Sequence, residues 1–90
     1  MSSNNEIPKS DQLLKEASKD PHGKIMHIKV MGGEIIQANN FNFTEGLIGR
    51  ELADWKGALT DLIMTQKIET DNGEVFSLTR YGWESADSIK

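Results

Sequence analysis

The chain has no cysteine among its 90 residues. Disulfides, thiol catalysis and cysteine-based zinc sites are excluded, and the absence fits a cytoplasmic setting. No apolar run approaches the roughly 18 residues that a membrane span requires. The opening Met-Ser-Ser-Asn-Asn-Glu has neither a basic stretch nor an apolar one, so no secretory signal is expected. Histidine is scarce as well: His22 and His27 are the pair. Their spacing falls in the range of paired zinc-finger histidines, but no cysteine pair accompanies them and no helix is expected to present both rings. They read as surface or half-buried packing residues. Ser77 and Thr79 lack an evident base. Gly32-Gly33 is followed by neither a lysine with Ser/Thr nor an opening helix, so it is not a phosphate loop. The carboxylates are scattered. No metal, cofactor or small-molecule substrate is inferred, and the chain reads as non-enzymatic.

What is present is one strong pattern. Leu52, Trp55, Leu59, Leu62 and Ile63 recur at helical spacing and predict an amphipathic helix over Gly49 to Gln66. Ile48 and Ala58 extend the apolar face, which is too wide for a two-stranded coiled-coil seam. Burying five such side chains contributes roughly 1.5–3 kcal/mol each before entropy is subtracted. The opposite face carries Arg50, Asp54, Gly57, Thr60, Asp61 and Met64. A glycine at mid-helix costs on the order of 1 kcal/mol relative to alanine. Gly57 marks either a close approach by another backbone or simple tolerance on an exposed face.

After Lys67 the period changes to two. Ile68 and Thr70 lead into Asp71-Asn72-Gly73, and Val75, Phe76 and Leu78 lead out. Asn-Gly between such runs predicts a tight hairpin, because both residues accept positive φ.

Around this centre the remaining elements are shorter. Residues 1–9 are polar, carry Pro8, and read as a tail or linker; residues 10–90 read as a single domain. Ser10 is placed to cap a first helix reaching Lys19, with Leu13, Leu14 and Ala17 inward. Asp20-Pro21-His22-Gly23 ends it. From Ile25 to Val30 the pattern alternates, which predicts a strand with Met26, Ile28 and Val30 on one face and His27 and Lys29 on the other, Ile25 being the single apolar exception there. Glu34 to Ala38 reads as a second strand and Asn39-Asn40 as a turn. Phe41 and Phe43 are expected to share a side facing the core. Thr44 to Ile48 suits at most a short helical turn. Thr79 is expected to cap a last helix, Arg80 to Ser88, with Tyr81, Trp83, Ala86 and Ile89 as its apolar residues. The fold class is α+β.

The order helix, strand or strands, long helix, hairpin, short helix carries a resemblance. The runs Leu59-Thr60-Asp61-Leu62-Ile63, Lys67-Ile68-Glu69, Asn72-Gly73 and Val75-Phe76-Ser77-Leu78-Thr79-Arg80-Tyr81-Gly82 look like the second half of a winged-helix domain. The segment from Leu14 to Pro21, with Gly32-Gly33, Ile36-Gln37 and Glu51-Leu52-Ala53-Asp54-Trp55, is similar to a small winged-helix-like module of bacterial multidomain proteins. The resemblance covers nearly everything after residue 10. It implies an accessory module, in some relatives beside effector or defence-like partners. It implies a fold more than an activity. DNA-reading winged helices place a second helix before the long one; here that space holds Gly32-Gly33, an extra strand, Asn39-Asn40 and Gly46.

Charge separates the functions that such a fold allows. The net charge is −4, with 14 acids against 10 bases. Residues 1–43 and 77–90 are each balanced, so the whole excess lies on residues 44–76. The long helix and hairpin are therefore acidic where relatives would meet phosphate, and DNA affinity comes largely from lysine and arginine. The expectation is a protein-interaction module, docking to a partner or pairing as a homodimer, in a regulatory or accessory role. The alternative is a DNA-binding transcriptional regulator of winged helix-turn-helix type. The candidate interaction surface comprises Arg50, Asp54, Gly57, Asp61, Met64, Asp71 and Asn72. Tyr81 and Trp83 are further contact candidates, with packing against the long helix as the plainer expectation.

Overall fold

Three helices and five strands form over residues 7–89, the part that the computed structural model describes. Residues 1–6, most of the expected tail, lie outside the described residues, as does Lys90. The order is α1 (Lys9–Ala17), β1 (Lys24–Val30), β2 (Gly33–Ala38), β3 (Phe41–Asn42), α2 (Gly49–Met64), β4 (Ile68–Thr70), β5 (Val75–Leu78) and α3 (Arg80–Asp87). The strands make one antiparallel sheet in the order β3-β2-β1-β5-β4. The architecture is α+β.

The first helix is the most enclosed element. Leu13, Leu14 and Ala17 are completely buried, as are Ile25 and Ile36 on the sheet beneath. Its ends differ from expectation. Pro8 occupies the position before the first turn and makes no side-chain cap, so Ser10 lies inside the helix. The proline ring sets a helix-compatible φ at that boundary without needing a hydrogen bond.

The sheet shows the largest departure. Ile25, the apolar exception on the His27–Lys29 face, is in the core, while Met26 and Ile28 are half-buried and Val30 is 45% exposed. The neighbouring strands decide the face. Ile25 stands opposite Ala38 on one side and Phe76 on the other, and all three are buried. A one-residue change of parity turns every side chain of a strand over. Counting apolar residues within β1 alone picks the wrong side.

Asn39 and Asn40 have φ of 50° and 65° and join Ala38 directly to Phe41. Two consecutive residues at positive φ are what a type I′ hairpin requires. Phe43 packs on the core, but Phe41 is 55% exposed at the sheet edge and meets Phe43 edge to face at 4.7 Å. Residues 43–46 form hydrogen-bonded turns instead of a helix.

The long helix buries Trp55, Ala58, Leu59 and Leu62, with Leu52 half-buried. Ile63 is 42% exposed and Ile48 77% exposed, against expectation. Ile63 lies one residue, about 100°, beyond Leu62 and past the edge of the buried arc. Ile48 precedes the helix in an extended conformation, so helical periodicity does not apply to it. The helix ends at Met64, short of Gln66, which has φ 62°. Gln66 N–H donates to Ile63 O at 3.0 Å and Lys67 N–H to Leu62 O at 2.9 Å, a Schellman closure with glutamine where glycine is usual.

The second hairpin lies where expected, with a different turn. Gly73 has φ 79°, but Asn72 does not share positive φ. Four residues separate β4 from β5. Asn72 Oδ1 accepts from the Glu74 and Val75 amides, and Thr70 Oγ1 accepts from those of Asn72 and Gly73. Thr79 then caps α3 as expected, its Oγ1 accepting from Gly82 N–H at 3.0 Å. Gly82 is forced, because a Cβ there would run into the Lys67 carbonyl oxygen. Tyr81 points outward at 53% exposure, and Trp83 lies over Gly23.

Truncating the enclosed helix tests this core directly. Leu13→Ala should lower the unfolding free energy by about 2–5 kcal/mol and Trp55→Ala by about 3–5 kcal/mol. Ile63→Ala, outside the buried arc, should cost less than about 1 kcal/mol in the same urea titrations.

The glycines make a second, signed test. Nothing lies within 4 Å of a Cβ added at Gly57, so Gly57→Ala should stabilise by about 0.8–1 kcal/mol through helix propensity. Gly82→Ala should destabilise by about 1–3 kcal/mol or more, because the obstruction is backbone. Equal effects at the two positions would contradict the packing described.

Candidate functional site

The candidate residues of α2 form one stripe. Arg50, Asp54, Gly57, Asp61 and Met64 recur at intervals of four and three, and all are exposed. This side points away from Trp55 and Leu62. Asp54, Gly57 and Asp61 share a shallow groove of 390 Å³ with Pro8, Lys9 and Ser10 at the start of α1. Lys9 is one of its lining residues, with its Nζ 5.6 Å from the centre of the Trp55 ring. Without a side chain at residue 57, the groove floor between the two aspartates is open.

Asp71 and Asn72 sit elsewhere. They line a hollow of 330 Å³ on the β4–β5 hairpin, together with Lys24, Glu69, Thr70 and Ser77. The Asn72 side chain is occupied by the turn itself. The seven candidates therefore divide into a stripe on α2 and a hairpin tip, and line no common groove.

A cluster not anticipated from the sequence ties α2 to the sheet. His27 Nε2 lies 2.7 Å from Glu34 Oε1, and Lys56 Nζ lies 3.0 Å from Glu34 Oε2. The His27 and Glu34 side chains are each 17% exposed. The hydrogen bond to His27, then that to Lys56, holds the Glu34 carboxyl below its usual range. The hairpin register supplies half of this cluster. Lys29 pairs with Glu34, which puts His27 one diagonal step away on the same face. Lys56 arrives from a distant helix, and nothing local foretells it.

The hydroxyls of Thr44, Ser77 and Thr79 are committed. Thr44 is buried, its Oγ1 donating to Glu34 O at 2.8 Å and accepting from Ile36 N–H at 3.0 Å. Ser77 Oγ accepts from Lys24 Nζ at 2.9 Å. Thr79 Oγ1 donates to Gln66 O at 2.7 Å while capping α3. His22 is exposed and His27 faces Glu34, so the two histidines have separate surroundings. Among the described residues, no group of three His, Cys, Asp or Glu is placed to hold a metal ion. No helix is long and apolar enough to cross a membrane, again among those residues.

Ile63, expected in the core, is a further exposed apolar residue beside the contact candidate Tyr81. Ile63 and Tyr81 line a groove of 540 Å³ between the end of α2 and the start of α3. Lys67 Nζ lies 5.7 Å from the centre of the Tyr81 ring, on the side of a second groove of 650 Å³. No known family model, characterised protein or solved structure matches this chain.

Because Glu34 titrates below its ordinary range, its contribution to stability is present above about pH 4.3, the unfolded glutamate value. It is lost as the pH falls through the lower folded value. Urea unfolding of the native chain and of Glu34→Gln should differ most near neutrality, with the native chain the more stable. The two should converge on acidification below pH of about 4. A difference that stays constant with pH would dissociate Glu34 from its partners.

Proposed function

We propose that this domain is a non-catalytic, winged-helix-like module acting through protein–protein contacts in a regulatory or accessory role. The strand order supports the winged-helix part of that reading. β1 pairs with β5, and β5 with β4, while α2 immediately precedes the β4–β5 hairpin. The β2–β3 hairpin and the turns after it occupy the space where DNA-reading members of that superfamily carry a second helix.

The observation that carries the protein-contact reading is the charge on α2 and the hairpin. Lys56, one of two bases on α2, is directed at Glu34. That leaves Arg50 against Asp54 and Asp61 along the exposed stripe, with Lys9 of α1 lining the same groove as the two aspartates. On the hairpin, Glu69, Asp71 and Glu74 are exposed, with no base between Ile68 and Leu78. Each carboxylate turned toward a phosphate is repulsive, and non-specific DNA affinity depends on the opposite sign. The alternative, a DNA-binding regulator, draws on the strand order but needs a cationic surface elsewhere.

Fluorescence anisotropy with a labelled duplex at about 50 mM salt separates the two. No binding is expected at micromolar protein. Asp54→Lys combined with Asp61→Lys should raise the affinity, because it reverses the sign of the stripe. Tight binding by the native chain, falling steeply with salt, would replace this reading with the nucleic-acid one.

A further inference from the structure

An antiparallel sheet with one covered face ordinarily alternates apolar inward and polar outward. This sheet does not. Across the register Met26 stands opposite Val75, and Ile28 opposite Ile35, on the side turned away from Ile25, Ile36 and Phe76. Val30 continues the same side. Met26, Ile28, Val30, Ile35 and Val75 belong neither to the buried core nor to the partly buried hydrophobics packed against it. They make a second apolar cluster, spread over the three central strands. A contiguous apolar patch is the informative kind of exposure, whereas scattered single residues are not.

We propose that this half-buried sheet face, against which none of the described helices packs its core, docks against the same face of a second copy of the chain. The inference rests on the protein-contact reading above and gives that reading a place and a partner. Charge selects the occupant. Each copy carries a net charge of −4. Copies meeting through α2 would set Asp54 and Asp61 against their own counterparts, and copies meeting at the hairpin would oppose Glu69, Asp71 and Glu74. Beside its five apolar residues this face carries the uncharged Gln37 and Ser77, in register with Met26 and Lys24. Its nearby charges are of opposite sign: Lys24 and Glu69 are both in register with Ser77, one from each side. A flat pleated face also suits another of its kind, with the two sheets about 10 Å apart.

Area sets the strength. The strands hold 22 residues, and each covers about 16 Å² of sheet plane, a footprint of about 350 Å² per copy. Stable interfaces bury about 800 Å² per partner. The dimer is therefore a weak one, formed at high concentration.

Sedimentation of the full chain from about 10 μM to about 1 mM tests this. The expected result is a monomer–dimer equilibrium with its midpoint at hundreds of micromolar, undiminished in about 0.5 M salt because apolar contact is not screened. Ile28→Glu and Val30→Glu should each weaken it at least about tenfold. Val30 is already exposed, so its variant retains the native circular dichroism even if Ile28→Glu does not fold. Met64→Glu adds the same charge on α2 and should weaken the dimer far less. A chain monomeric at every concentration overturns the proposal. A dimer indifferent to both sheet variants, or lost in Met64→Glu alone, overturns the assigned face and leaves the protein-contact reading standing. That reading itself falls only to the DNA titration.

Discussion

Three side chains on a nine-residue helix hold the domain together. Leu13, Leu14 and Ala17 are fully enclosed, and α1 packs against α2, α3, β1 and β2. Leu13 and Leu14 are adjacent, so they point about 100° apart. Burying both completely requires neighbours on more than one side. The sheet contributes one wall through Ile25 and Ile36, and α2 and α3 contribute others. Polar contacts then fix where α1 sits. Glu16 Oε2 accepts from Asn39 Nδ2 at 3.0 Å and binds the helix to the β2–β3 turn. The long helix has the longer apolar stripe, but it is a cover laid on this centre.

The junction after α2 shows how the rest is hung from that core. Gln66 takes a left-handed conformation that disfavours most side chains, and the Schellman bonds hold it there. The Gln66 and Lys67 carbonyls then receive Thr79, through its hydroxyl and its amide. The same Lys67 carbonyl presses on Gly82. One short stretch thus closes α2, opens β4, and sets the start of α3. The run Leu78-Thr79-Arg80-Tyr81-Gly82 answers this geometry: leucine for the core, threonine for the cap, glycine for the close approach.

The elements legible in the sequence are those whose cause is local. The start and inward face of α2, the place of the Asp71–Gly73 turn and the Thr79 cap each follow from residues within a few positions. The inward side of β1 is a different kind of fact. Ile25 faces the core because Ala38 and Phe76 stand beside it, and neither is a sequence neighbour. The misread turn at Asn72 has a similar origin. Its side chain is drawn into hydrogen bonds across a four-residue loop, whereas Asn39-Asn40 takes the two-residue geometry that Asn72-Gly73 suggested. Of the candidate surface, the α2 stripe followed from helical spacing. The Glu34–Lys56 contact needed the tertiary fold.

The corrected parity of β1 also changes what the charge pattern means. With Met26, Ile28 and Val30 inward, the acidic helix would be the molecule's main distinctive surface. With them outward, the domain has two unlike sides. One is an acidic stripe on α2, well solvated and repulsive toward its own kind. The other is an apolar sheet face whose burial lowers the free energy of whatever covers it. A domain of this size buries roughly 60–70% of the surface its unfolded chain exposes, less than a larger domain does. Leaving five more apolar side chains outside the core therefore forgoes stabilisation that the monomer could use. Cross-strand pairs such as Ile28–Ile35 and Met26–Val75 steady the sheet itself, so the second apolar cluster serves the strands and also leaves a face whose further burial is favourable.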